Sequence, residues 1–195
     1  MKPFRRRRRG SVTATFDPGE AALLANLARQ VIELLRDRHG ESVADTDPLA
    51  AQLGLDGPSL PPEDPVLRRL LPDAYSGDEV EESGEFRRYT EQALTAAKVS
   101  HAEAVLSSLV VGGYDPDAAE IRGQEAVEVE LGNEAVQAWL KTLTDIRLAI
   151  AVRLGIETEE DAALVARSED DAVAAMSDVY DWLGYVQESL ISVLD

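Results

Sequence analysis

The chain has 195 residues, of which 37 are acidic and 19 are basic, so it carries a formal charge of −18, and it contains no cysteine. This length fits one domain with a hydrophobic core, and an apolar content of 45% favours a folded chain. The lack of cysteine excludes disulfides, thiolate metal sites, a cysteine nucleophile and a thiol redox switch. Two histidines are too few for a typical zinc site or catalytic triad. We expect no membrane span, because no apolar run approaches the required ~18 residues.

The first ten residues differ in charge from the rest of the chain. Lys2 and the arginine run 5–9 place six positive charges in the first nine residues, which leaves about −24 on the remainder. Such an acidic body repels nucleic acid, so only this arm could contact a polyanion, and only weakly. The candidate residues for that contact are Arg5, Arg6, Arg7, Arg8 and Arg9. The alternative is that residues 1–10 are a flexible, solvated arm or lie on the chain's own acidic surface.

The hydrophobic pattern predicts two units in which a strand precedes a helix. Residues 12–16 alternate in polarity, and apolar residues then recur every three or four positions up to Gly40. Residues 126–131, followed by a helix that ends at Gly155, repeat the arrangement. A lone strand cannot satisfy its own backbone groups. We therefore predict that the two strands pair as a small ribbon beside a helical bundle, in a fold that is mainly α.

The other segments are predicted to be helical or loop-rich. Prolines and glycines punctuate an insert at about 41–84, which contains a short helix that Pro72 ends. A long helix is predicted from about 85 to 111, and an acidic, alanine-rich linker over 157–171 precedes the last helix. We expect residues 11–195 to form a single, mostly helical domain.

The sequence lacks the signatures of the common enzyme classes. No segment matches the phosphate-binding, nucleophile-elbow or zinc-helix motifs. Its many carboxylates are a poor guide, because catalytic carboxylates need burial or like-charge coupling to shift their pKa. We expect His39 to lie at a helix C-terminus and His101 to be solvated. The sequence thus predicts no catalytic residue, no metal and no cofactor.

Several large side chains of the two C-terminal helices are predicted to belong to the core. Trp139 and Trp182 lie in the apolar stripes of these helices, and Tyr180 precedes the second tryptophan by two residues. Arg147 lies at the centre of an apolar helix, where it is expected to bind an internal acid. The alternative for the tryptophans is that they stack on a small molecule held between their helices.

A segment framed by prolines carries two adjacent arginines within the acidic chain. The candidate partner-binding residues are Pro62, Glu63, Asp64, Arg68 and Arg69. The planar guanidinium group matches a carboxylate with two hydrogen bonds. One arginine could therefore bind an internal acid instead, and so tie this loop to the bundle. Arg87 and Arg88 form a second pair, but inside a long helix and without prolines on either side.

Five short segments resemble an actinobacterial DUF family that includes an oxidative-stress transcriptional regulator. They are residues 20–24, the block 62–73 (Pro-Glu-Asp-Pro-Val-Leu-Arg-Arg-Leu-Leu-Pro-Asp), 139–140, 145–149 and 179–183. The resemblance covers nearly the whole chain in matching order. It implies a cytoplasmic, helical and non-enzymatic regulator, encoded in some genomes near the gene of a Clp protease adaptor. The redox-sensing members depend on a cysteine pair, so the thiol mechanism does not extend to this cysteine-free chain.

Taken together, these features predict a regulatory protein that works through protein–protein contacts. Its partner is expected to be a sigma factor, RNA polymerase or a Clp component, and any contact with DNA is weak and made by the arm. Residues 10–18 hold no apolar segment typical of a signal peptide, so we expect a cytoplasmic location without membrane contact. An adaptor in Clp-dependent proteolysis and a small-molecule binder are the alternatives, and a homodimer is left open.

Overall fold

A computed structural model describes residues 1–7, 10–43, 58–74, 80–118 and 125–194, without the side chains of 39–43 and 80–82. The described residues form three strands and six helices. The strands are β1 (Lys2–Arg6), β2 (Val12–Phe16) and β3 (Val127–Leu131). The helices are α1 (Pro18–Val43), α2 (Pro65–Leu70), α3 (Val80–Val111), α4 (Asn133–Leu154), α5 (Glu159–Val165) and α6 (Asp171–Ile191). The prediction of a mainly α fold is confirmed.

The strands form an antiparallel sheet in the order β1-β2-β3. Strands β2 and β3 pair from Val12 opposite Leu131 to Phe16 opposite Val127. Every second residue of both strands is buried, because alternate side chains of a strand point to the same face of the sheet. The predicted pairing of two strands beside a helical bundle is therefore confirmed.

The prediction of a flexible arm at residues 1–10 is wrong for residues 2–6, which form the edge strand β1. Phe4 is buried, and its ring packs edge-on against Phe16 and Trp139, with centroids 6.3 and 5.9 Å away. The Phe4 amide donates to the Ser189 hydroxyl at 2.9 Å. One aromatic residue among the basic side chains thus holds this segment against the core. Arg8 and Arg9 lie outside the described residues.

The longer helices pack around one core. Helix α3 lies against α1 and α4, and α4 also contacts α2 and α6. Trp139 of α4 is fully buried and stacks on Phe16 at 5.7 Å, which joins the helices to the sheet. Gly155 has a φ of +69° and ends α4 as predicted. Gly40 does not end α1, which continues to Val43.

Helix α3 approaches the sheet closely where it ends. A Cβ on Gly112 would lie 2.8 Å from the carbonyl oxygen of Glu128 in β3, so only glycine fits there without a shift. The Glu128 amide donates to the Gly112 carbonyl at 3.0 Å. This contact sets the position of α3 relative to the sheet.

An 18-residue window within Ser83–Val111 of α3 has a mean hydropathy of 1.2, so this helix could cross a membrane by length and composition alone. This corrects the sequence-based expectation that no run approaches such a span. Core helices of soluble proteins, which are mostly buried, pass the same test. Only 22% of this window is buried, although α3 packs against α1, α4 and β3.

A short helix, α5, interrupts the segment that the sequence predicted to be a linker. The Thr158 hydroxyl accepts from the Asp161 amide at 3.2 Å, and the Asp161 carboxylate accepts from the Thr158 amide at 2.9 Å. This reciprocal capping box satisfies two backbone donors at the helix start. The insert predicted at about 41–84 is described only in part, and it contains α2 and the beginning of α3.

Candidate functional site: the α2 segment and the adjoining groove

The helix α2 is held firmly by residues at its own N-terminus. The Asp64 carboxylate accepts from the Leu67 amide at 2.9 Å, and Pro65 occupies the first helical turn. Val66, Leu67 and Leu70 are buried, and the helix packs against α4. The sequence therefore builds a short, fixed platform on the surface of the bundle.

The arginines of α2 do not bind an acidic side chain among the residues that the structure describes. The Arg68 guanidinium donates to the carbonyl oxygen of Pro62 at 3.2 and 3.3 Å, which closes the segment on itself. Arg69 and Glu63 are exposed, and neither side chain has a hydrogen bond within the described part of the chain. Of the five candidate partner-binding residues, Pro62, Asp64 and Arg68 therefore shape the segment, whereas Glu63 and Arg69 are displayed.

The internal arginine–acid contact expected here is made instead by Arg87 of α3. Its guanidinium donates to Asp73 at 2.7 Å, to the Leu71 carbonyl at 3.1 Å and to Glu91. The side chains of Arg87 and Glu91 are each only 4% exposed, and Arg38 of α1 also binds Glu91 at 3.1 Å. The hydrogen bond from Arg87 holds the pKa of Asp73 below its ordinary value. This network ties the end of α2 to α3 and α1.

The helical phase decides which of the adjacent arginines is buried, and the sequence contained a signal for it. Glu91 stands four residues after Arg87, which places the two side chains on the same face of the helix. Arg88 has no carboxylate in that position. Sequence reasoning set this pair aside because it lacked flanking prolines, and so missed Arg87.

The remaining candidate core residues lie at the contact between α4 and α6. Arg147 donates to Gln187 at 2.8 Å and lies 4.8 Å from the ring centre of Tyr180. Within the described part of the chain its partners are therefore an amide and an aromatic ring rather than the expected acid. Trp182 is partly buried against the core, and its indole nitrogen is buried without a hydrogen-bond partner in the described structure.

A groove of about 580 Å³ opens beside α2 and runs between α3 and α4. Its apolar lining is Leu70, Pro72, Leu94, Ala97, Leu140 and Leu148. Its charged or titratable lining is Arg69, Lys98, His101, Lys141 and Asp145. Neither Trp139 nor Trp182 lines this groove. It is therefore not the small-molecule site that the sequence offered as an alternative between the two tryptophan helices.

An ion pair joins the two walls of the groove. The Lys98 ammonium of α3 donates to the Asp145 carboxylate of α4 at 2.5 Å, and these side chains are 17% and 6% exposed. Burial raises the pKa of Asp145, while the hydrogen bond and the charge of Lys98 act in the opposite direction. No local sequence pattern predicts this ion pair, because its two residues are 47 positions apart in the chain.

His101 is half-buried in this groove rather than fully solvated. Burial lowers its pKa, and the positive charges of Lys141 and Lys98 lower it further, against the opposing effect of Asp145.

The side chain of His39 lies outside the described residues. Among the described residues, no three histidine, aspartate or glutamate side chains are grouped so that they could hold a metal ion.

Of the basic residues near the start of the chain, Lys2, Arg5 and Arg6 lie on the edge strand β1 and Arg7 follows it directly. Arg5 and Arg6 are exposed on β1. Arg7 donates to Glu128 of β3 at 2.5 Å, on the exposed side of the sheet. One of the five arginines thus pairs with the acidic surface of the chain itself.

The chain is similar to a family of proteins and to several mycobacterial regulators. The family described as "Domain of unknown function (DUF2017)" matches residues 1–194. Proteins named "Oxidative stress regulator AosR" from Mycobacterium bovis and Mycobacterium tuberculosis are 34% identical over 190 residues, which cover 91% of this chain and 79% of each relative. A Mycobacterium leprae relative is 31% identical over the same shares. No solved structure matches the chain.

Proposed function

The chain belongs to the DUF2017 family, and from this premise we propose that it is a non-enzymatic, cytoplasmic regulator that acts through protein–protein contacts. Relatives that are 34% identical over most of their length are named as oxidative stress regulators, which supports a regulatory role. This chain has no cysteine, so its regulation uses no thiol switch of its own.

The observation that carries this proposal is the display of Glu63 and Arg69 on a fixed platform. The N-terminal cap, the bond from Arg68 to Pro62 and the Arg87 network already order this segment in the free protein. A preordered surface loses less conformational entropy on binding than a flexible loop does. Leu60, which is 73% exposed, adds apolar surface just before this segment. Exposed arginine and apolar side chains are typical of the centres of protein interfaces.

We propose a sigma factor or RNA polymerase as the partner rather than DNA itself. The charge of −18 disfavours close approach to a nucleic acid, whereas a protein surface is compatible with it. Arg5 and Arg6, exposed on the edge strand, would add only a weak and salt-sensitive hold on nearby DNA once a partner has placed the protein there.

The test is capture of partners from a lysate by tagged protein carrying Arg69→Glu. Arg167→Glu is the matched control, because Arg167 is also exposed and is remote in sequence from α2. We expect the wild-type protein and the control to retain a sigma factor or polymerase subunits, and Arg69→Glu to lose them with an unchanged circular dichroism spectrum. Equal capture by both variants would contradict the assigned surface. Recovery of Clp subunits alone would favour an adaptor in proteolysis instead.

A further inference from the structure

The groove between α3 and α4 has the dimensions and lining of a small-molecule site. Its volume of about 580 Å³ lies within the roughly 300–1,000 Å³ that is usual for sites that enclose small ligands. Its walls are mainly leucine, alanine and proline, with a few charged side chains among them. That combination binds the apolar body of a ligand by burial and orients it by a small number of polar contacts.

The charge of the groove is opposite to that of the chain. Two of the three lysines in the sequence, Lys98 and Lys141, line it together with Arg69, and among the described residues Asp145 is its only acidic side chain. Three cations thus face one carboxylate on a protein whose formal charge is −18. The groove is therefore a locally positive site on an acidic chain.

The Lys98–Asp145 pair leaves donors available for a ligand. An ammonium group has three N–H donors, and within the described structure Lys98 uses one of them, toward Asp145. Lys141 is exposed and makes no hydrogen bond to a described residue. Lys98, Lys141 and His101 all line this groove.

We propose that this groove binds a small organic anion with an apolar body, such as a medium-chain or aromatic carboxylate. The carboxylate accepts hydrogen bonds from Lys98 and Lys141 beside His101, and the body of the ligand packs against Leu94, Leu140 and Leu148. An acidic peptide is less suitable, because its residues beyond the groove would meet the negative surface of the chain. The groove shares Arg69 with the partner surface proposed above. The two proposals are tested separately, because a purified protein suffices to bind such a ligand and the variants used below leave Arg69 unchanged.

The test uses decanoate as the probe and decanol as its uncharged counterpart, in calorimetric titrations of the whole purified chain below the micelle concentration. We expect one decanoate per chain and much weaker binding of decanol. Lys141→Glu should weaken decanoate binding about tenfold, as expected for loss of a charge-assisted contact. Lys2→Glu, which alters the one lysine outside the groove, should leave binding unchanged.

A second variant locates the ligand. Ala97→Phe fills the groove from its exposed wall and should reduce the binding of decanoate and decanol alike while circular dichroism is unchanged. The proposal is overturned if decanol binds as well as decanoate, if Lys141→Glu has no effect, or if no saturable binding occurs. It is also overturned if an acidic amphipathic peptide, and not decanoate, binds in a manner sensitive to Lys141→Glu.

Discussion

At the level of single residues, the charged side chains divide into those that build the protein and those that it displays. Arg87 is buried between Asp73 and Glu91, whereas Arg69 is exposed. The two residues have the same chemistry, and both belong to adjacent arginine pairs. Their roles differ because the helical phase turns one toward a carboxylate and the other toward solvent.

Replacing Arg87 by methionine should destabilise the fold strongly. Among the described residues, the change leaves the buried Glu91 with Arg38 as its one remaining ion-pair partner, and it removes the contact to Asp73. We expect a loss of about 3 kcal/mol in the free energy of unfolding, as for other broken buried ion pairs. Arg88→Met is the control and should cost less than about 0.5 kcal/mol. Equal effects of the two changes in urea denaturation would contradict the assigned role.

The pKa of His101 should report the positive charge of the groove. Burial and the two nearby lysines lower this pKa below its ordinary value. The unfolded state then binds a proton at His101 more readily than the folded state does. The free energy of unfolding should therefore decrease as the pH falls from about 6.5 through the folded-state pKa of His101. In an NMR titration, Lys141→Gln should raise the pKa of His101, and Lys2→Gln should not. An unchanged value in Lys141→Gln would show that the lysine does not act there.

At the level of secondary-structure elements, the sequence predicted those helices and strands whose formation depends on residues close together in the chain. The alternation of residues 12–16, the proline at 72 after the short helix and the glycine at 155 each led to an element that the structure contains. Strand β1 was missed because its formation depends on Phe4 reaching Trp139, a contact that spans most of the chain. Helix α5 was missed although its capping box is local, because the acidic composition of its segment was interpreted as a linker.

Removing the Phe4 side chain should release β1 from the core. Phe4→Ala loses the edge-on contacts with Phe16 and Trp139, and we expect a cost of about 3–5 kcal/mol, typical of a buried phenylalanine. Lys2→Ala, on an exposed position of the same strand, should change stability by less than about 0.5 kcal/mol. If the two variants unfolded at the same denaturant concentration, β1 would not be part of the folded core.

For the molecule as a whole, the sequence predicted the fold class and the family, and left the sites open. The resemblance inferred from five short segments is confirmed by the family match over residues 1–194. The groove could not be predicted from the sequence. Lys98, Lys141 and Arg69 come from three different helices, and no sequence pattern indicates how these helices pack against one another. The composition does establish a net charge of −18, which is the basis for proposing a protein partner rather than DNA.

The central claim is that this chain regulates through protein contacts, and the most direct test is capture of its partners before and after nuclease treatment. Protein tagged and expressed in its own cells should retain a sigma factor or RNA polymerase subunits after the nucleic acid has been digested. Loss of these proteins on digestion would show that nucleic acid bridges the association. That result would contradict the account.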